Sequence, residues 1–167
     1  MAEKQSTDEI FTGMRRFRAM LKAGETSVAT SVTFNDPLVT DALADSVDLL
    51  WYDLEHTQQD PATLNAHLAI ARGRGKGTVV RVGDVHPSVI KPLLDAGADG
   101  IVAAQIRTVA EVEELITNCK YPPMGTRGVA PRVPSNYGRI GLDYFPAANK
   151  NIFTSVMIET AEALEAI

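Results

Sequence analysis

Residues 47–61 read VDLLWYDLEHTQQDP, and the order of residue types in that stretch decides the fold. Apart from Asp48, the run from Val47 is apolar until its C-terminal end, at Asp53, Glu55 and His56. A run this short, apolar on both faces, is the signature of a strand in a parallel sheet covered on both sides. Asp60-Pro61 then supplies an N-cap followed by a proline at the first helical position, and Leu64 and Leu68 give the helix that follows one apolar face. Strand, polar end, capped helix: this is one β/α unit.

The same unit recurs on both sides. Upstream, Ser27 to Thr33 is a β-rich run, and Asp36-Pro37 opens a helix. Before it, Ser6 and Glu9 have capping-box spacing, with Ile10, Phe11, Met14, Phe17 and Leu21 at helical spacing and Gly24 as the stop. Downstream, GTVVRV (77–82) is a strand ending near Arg81, and Pro87 to Ala96 is a helix closed by Gly97. ADGIVAAQ (98–105) is the next strand, and Thr108 and Glu111 form a second capping box ahead of Val112, Leu115 and Ile116. YPPMGTRGVAPRVPSNYGR (121–139) is irregular, with Pro and Gly at turn spacings. NIFTSVMIE (151–159) reads as a strand and TAEALEAI (160–167) as the start of a helix.

Strands alternating with helices mean a parallel α/β sheet, either doubly wound or part of a (β/α)8 barrel. No GxGxxG or P-loop follows any strand, which weighs against a nucleotide site; GRGKG (73–77) precedes a strand and reads as a turn. At 167 residues, 45% hydrophobic and 22% charged, the composition is that of a soluble globular domain. A net charge of -5 and the lack of a basic stripe argue against nucleic acid and anionic membranes. The opening MAEKQSTDEIF has no apolar signal core and no apolar run reaches membrane-spanning length, so a cytoplasmic location is the default expectation. The single cysteine, Cys119, excludes an intramolecular disulfide and reads as an apolar packing residue.

The carboxyl ends of parallel strands open onto one face, where reactive groups gather. Asp53, Glu55 and His56 close one strand, Arg81 another and Glu159 a third. An imidazole moves protons near neutral pH, a guanidinium grips a carboxylate in bidentate fashion, and a carboxylate holds a divalent cation. The structural alternatives are an Arg81–Asp53 ion pair and a helix-capping His56. His67, on a helix, and His86, before Pro87, read as surface or capping residues, and Trp51 and Tyr52 as core or wall.

Five segments together carry a resemblance: DLEH (53–56), VVRV (79–82), IKPLLDAGADGIV (90–102), YPPMGTRGV (121–129) and IETAEAL (158–164). In order and spacing, from about Ser27 onward, they resemble the HpcH/HpaI aldolase family. The resemblance implies a (β/α)8 TIM-barrel fold of which this chain holds about the first five β/α units. The expected organisation is one partial domain, residues 1–25 forming an N-terminal helix and 26–167 the β/α units.

It further implies a class II aldolase, a carbon–carbon lyase splitting a 4-hydroxy-2-oxo acid into pyruvate and an aldehyde with Mg²⁺, Mn²⁺ or Co²⁺, in a homo-oligomer. On the matching positions, His56 would be the general base, Asp95 the acid that raises its basicity, Arg81 the clamp on the enolate, and Glu159 one of two metal carboxylates. Asp53 would hold a metal-bound water or the histidine ring. Met157 stands at a substrate-binding position where the family has Gln, and ADGIVAAQI replaces a Pro-containing pattern, with Gln105 in reach of the pocket. The second metal carboxylate lies one unit beyond Glu159. No lysine lies at a strand end, which weighs against Schiff-base chemistry; Lys91 and Lys120 fall on or near helices. No basic cluster suits an acyl-CoA. The alternative to an aldolase is a non-catalytic module that binds a 2-oxo acid or another subunit.

Overall fold

In a computed structural model, which describes residues 5–166, five strands form one parallel sheet. Residues 1–4, the start of the expected N-terminal segment, and residue 167 lie outside the described residues. The strands are Ala29–Val32 (β1), Leu49–Asp53 (β2), Gly77–Val82 (β3), Gly100–Ala103 (β4) and Phe153–Val156 (β5). They are hydrogen-bonded in sequence order, each parallel to the next. A doubly wound sheet reverses its strand order at a switch point. This one never reverses, which is the winding of a barrel.

The helices between strands are Leu38–Ala44 (α2), Pro61–Gly73 (α3), Pro87–Ala96 (α4) and Val109–Cys119 (α5), preceded by Thr12–Ala23 (α1). Tyr144–Asn151 (α6) and Ala161–Glu165 (α7) flank β5. None is long and apolar enough to cross a membrane.

Side chains alternate across a strand, and the alternation sorts the core into two parts. Leu50, Tyr52, Val80, Val82, Ile101 and Ala103 face outward into the main core beneath the helices. Leu49, Val79 and Val102 face the concave side, where Trp51, Phe153 and Met157 join them. Met14 and Phe17 of α1 complete that inner cluster, with Phe17 edge-on to Phe153 at 5.9 Å between ring centroids. α1 comes this close because residue 13 is glycine: a Cβ there would stand 2.0 Å from the Gly77 nitrogen.

Several helix boundaries match their caps. Asp60 caps α3, Thr108 and Glu111 form the capping box of α5, His86 caps α4, and Gly24 and Gly97 end α1 and α4 in the left-handed conformation. Other expectations are corrected. Ser6 caps only a single 3-10 turn, Thr7–Glu9, and α1 begins after Phe11. Ile116 is exposed, not on the buried face of α5. His67 is fully buried, neither surface residue nor cap. The segment 121–140 is irregular as expected, but it runs into α6, which the sequence pattern did not announce. Cys119 is buried among apolar side chains.

Candidate active site

The inner face carries apolar residues low on the strands and charged ones at the carboxyl ends. On β2 the sequence runs Leu49, Trp51, Asp53; on β3 it runs Val79, Arg81; past β5 it continues through Met157 to Glu159. Asp53 and Arg81 are register partners on adjacent strands. Arg81 therefore lies flat against Asp53: Nε donates to Oδ1 at 2.9 Å and Nη2 to Oδ2 at 2.5 Å. This paired-fork geometry fixes the guanidinium plane as a lysine could not.

Asp53 does more than hold Arg81. Its Oδ1 also accepts the backbone N–H groups of Glu55 (2.9 Å) and His56 (3.3 Å), and its carbonyl accepts the Thr57 hydroxyl. One carboxylate thus mounts the guanidinium and shapes the loop bearing the imidazole. Burial would raise this carboxyl, but the Arg81 guanidinium and the two N–H groups outweigh it and hold the group below its ordinary value. Glu55 is the second acid against Arg81, with Oε2 3.3 Å from Nη1, buried and without a well-formed hydrogen bond. The same Oε2 lies 3.6 Å from His56 Nε2, while the rest of the His56 side chain is 69% exposed.

Glu159 comes to this group from the far strand. Its Oε1 accepts the backbone N–H of Gln105 at 2.6 Å, and Gln105 presents that N–H by adopting a left-handed φ of 57°. Gln105 thus contributes through its main chain, its side chain being exposed. Asp53 above all, with Glu55 and Glu159 adding to it, raises the Arg81 pKa. Met157 lies against the guanidinium, its Sδ 4.0 Å from Nη1. A thioether accepts weakly and donates nothing, so this wall is apolar where an amide would have been polar.

Asp95 is not brought to this group. α4 runs back against the strand direction, so Asp95 in its last turn lies near the start of β4, at the opposite end of the sheet from His56. There it pairs with the buried Arg127 of the GTRG segment at 2.7 Å, and Arg127 in turn covers the Tyr121 ring, 4.5 Å from its centroid. Within one chain Asp95 is the anchor of that irregular segment.

Three carboxylates face one guanidinium, which leaves the face with excess negative charge, and Glu159 is an exposed hard-oxygen donor. Charge and donor type fit a cation such as Mg²⁺, which takes one or two carboxylates and fills its remaining positions with water or substrate oxygens. Among the described residues no three His, Cys, Asp or Glu side chains close around a common point, so Glu159 would supply one ligand to such an ion and not a complete cage.

A singly wound parallel sheet with its charged residues at the inner carboxyl ends defines a barrel-type α/β protein with a strand-end site. The HpcH/HpaI aldolase/citrate lyase family matches the chain over residues 31–167, and the chain belongs to that family. It is 32% identical over 151 residues to 5-keto-4-deoxy-D-glucarate aldolase from several Escherichia coli strains, covering 90% of this chain and 59% of that protein. An HpcH/HpaI aldolase from Desulfitobacterium hafniense superposes with a TM-score of 0.82 at 26% identity, over 89% of this chain and 58% of the other. The citrate synthase SbnG superposes at 0.78 and 28% identity, over 89% and 58% respectively. The chain therefore spans a little under three-fifths of the length of these relatives.

Proposed function

We propose that this chain carries the enolate-stabilising part of a class II aldolase site, acting on a 4-hydroxy-2-oxo acid that yields pyruvate and an aldehyde. The observation that carries the reading is the Arg81 guanidinium, mounted flat on Asp53 at the inner strand ends with Glu159 facing it. Carbon–carbon cleavage leaves negative charge on the oxygen of the pyruvyl fragment, and a donor already fixed in place stabilises it without reorganisation. Asp53 is the mount, not a substrate ligand. His56, exposed beside Glu55, takes the proton from the substrate hydroxyl at its ring nitrogen. Met157 closes the pocket beside Arg81 with an apolar surface.

Glu159 would hold the divalent ion, Mg²⁺, Mn²⁺ or Co²⁺, which when bound supplies a Lewis acid for the keto and carboxylate oxygens. Asp95 can support His56 only from a neighbouring copy of the chain, since within one chain it lies at the other end of the sheet. The domain is read as one partial barrel, with residues 1–25 as its N-terminal segment.

The glucarate-derived 2-oxo acid named for the Escherichia coli relative is one candidate substrate. A second reading is a non-catalytic module that binds a 2-oxo acid, since the fork of Arg81 mounted on Asp53 grips a carboxylate without any turnover. Calorimetric titration of the chelator-treated chain with Mn²⁺, with and without oxalate, separates the two. Oxalate imitates the pyruvate enolate. Oxalate binding that needs Mn²⁺ and disappears in Glu159→Ala supports the metal site. Oxalate binding that ignores Mn²⁺ and survives that substitution leaves the binding module.

A further inference from the structure

His67, Thr40 and Tyr52 are each fully buried, and together they form a chain of hydrogen bonds that ends on a loop of the active face. His67 Nε2 lies 3.0 Å from the Phe34 carbonyl, and Nδ1 lies 2.7 Å from Thr40 Oγ1, which is 3.0 Å from the Tyr52 hydroxyl. A carbonyl only accepts, so Nε2 carries the ring proton. Nδ1 of the neutral ring must then accept from Thr40, and Thr40 in turn accepts from Tyr52. Every donor has one acceptor and the chain has one direction. Burial also pushes the His67 pKa down, favouring the neutral ring that this arrangement requires.

The far end of the relay is what gives it a use. Phe34 follows β1, whose end is in register with that of β2, so its loop stands beside the loop bearing Glu55 and His56. Gln59, from that second loop, donates to the Val32 carbonyl at 3.3 Å and the Phe34 carbonyl at 3.0 Å. The Phe34 backbone is therefore pinned by two buried donors while its ring stays 65% exposed. A rigidly held, exposed aromatic beside reactive groups is a contact surface waiting for a ligand.

We propose that His67, itself held by Thr40 and Tyr52, is a positioning residue of the active face, whose Nε2–H fixes the loop after β1 through the Phe34 carbonyl so that Phe34 forms an apolar wall for the carbon chain of the aldehyde partner. The inference rests on the aldolase reading and adds to it a substrate class: aldehydes with an apolar tail over short hydroxylated ones, which ranks the glucarate-derived acid below substrates with an apolar tail.

The test uses the full chain with Mn²⁺. Exchange of pyruvate methyl protons in D2O by the unaltered protein reports the enolate step alone. Condensation of pyruvate with hexanal and with glycolaldehyde then gives kcat and KM for each. Phe34→Ala is expected to raise the KM for hexanal about tenfold, a typical effect of a lost apolar contact, and to change that for glycolaldehyde far less. His67→Leu is expected to do the same and to speed hydrogen exchange at amides 33–36. His67→Gln keeps one donor and one acceptor and is expected to restore both readouts. A hexanal-to-glycolaldehyde KM ratio unchanged in Phe34→Ala overturns the wall, and if His67→Leu does not fold, Phe34→Ala alone decides it. Lack of methyl exchange in the unaltered protein overturns the aldolase reading and the wall with it, a result distinct from exchange with an unchanged ratio.

Discussion

Arg81 is outnumbered by acids, and its chemistry depends on which of them holds it. Asp53 takes two of its nitrogens and leaves Nη1 toward Glu55 and Met157. Replacing Arg81 by Lys keeps the charge but loses the fork, and should lower kcat/KM by about a hundredfold, some 2–3 kcal/mol of lost bidentate contact, with an unchanged circular dichroism spectrum. Near-normal turnover would remove Arg81 from its role. Asp53→Asn should destabilise the fold by about 2 kcal/mol, because it removes the paired-fork partner of a largely buried guanidinium and leaves it only the looser contact with Glu55. The pH dependence follows from the lowered Asp53 pKa. Its stabilisation is complete above the unfolded value of about 3.9 and is lost as pH falls through the lower folded value. Thermal unfolding of Asp53→Asn should lack that part of the acid limb.

The elements show where sequence patterns suffice and where they stop. Each strand was visible as an apolar or β-rich run, and Asp53, Arg81 and Glu159 were visible as the polar ends of three of them. Glu55 was visible too, but nothing in DLEH told that it would lie against Arg81. The role of Gln105 left no trace, since it is played by a backbone N–H turned by a positive φ at a residue that is not glycine. α6 escaped because Pro146 and two asparagines give Tyr144–Asn151 neither propensity nor a clean apolar period; the Tyr121, Tyr144 and Phe145 rings hold it in place by edge-to-face packing. His67 was misplaced for a similar reason: its burial depends on partners from α2 and β2, which local spacing does not reveal. α1 makes the sharpest case. Its apolar face was legible, but its depth is set by Gly13, and Gly13→Ala drives a methyl into the Lys76–Gly77 backbone. That substitution should cost about 3 kcal/mol or more, since neither backbone can yield without moving a strand. A thermal midpoint within a degree or two of the unaltered protein would mean that α1 docks elsewhere.

At the scale of the molecule the decisive feature is the outer side of β5. Among the described residues β5 pairs only with β4, so its far edge presents free backbone donors and acceptors. Beside that edge Val109, Val112, Val156, Ile158 and Ala163 line a groove that is almost wholly apolar. In a closed barrel both features are covered by the next strand and helix, and closure is what removes edges from such sheets. Among the described residues this apolar margin stands next to Glu159, the residue proposed above to hold the metal. In sedimentation equilibrium the mean mass of the chain should rise with concentration. Ile158→Lys, which sets a charge on an exposed position in that groove, should shift the mass toward that of a single chain while changing fold stability by less than about 0.5 kcal/mol. A polypeptide of these 167 residues that remains a single species up to high concentration would show that the β5 edge is already protected.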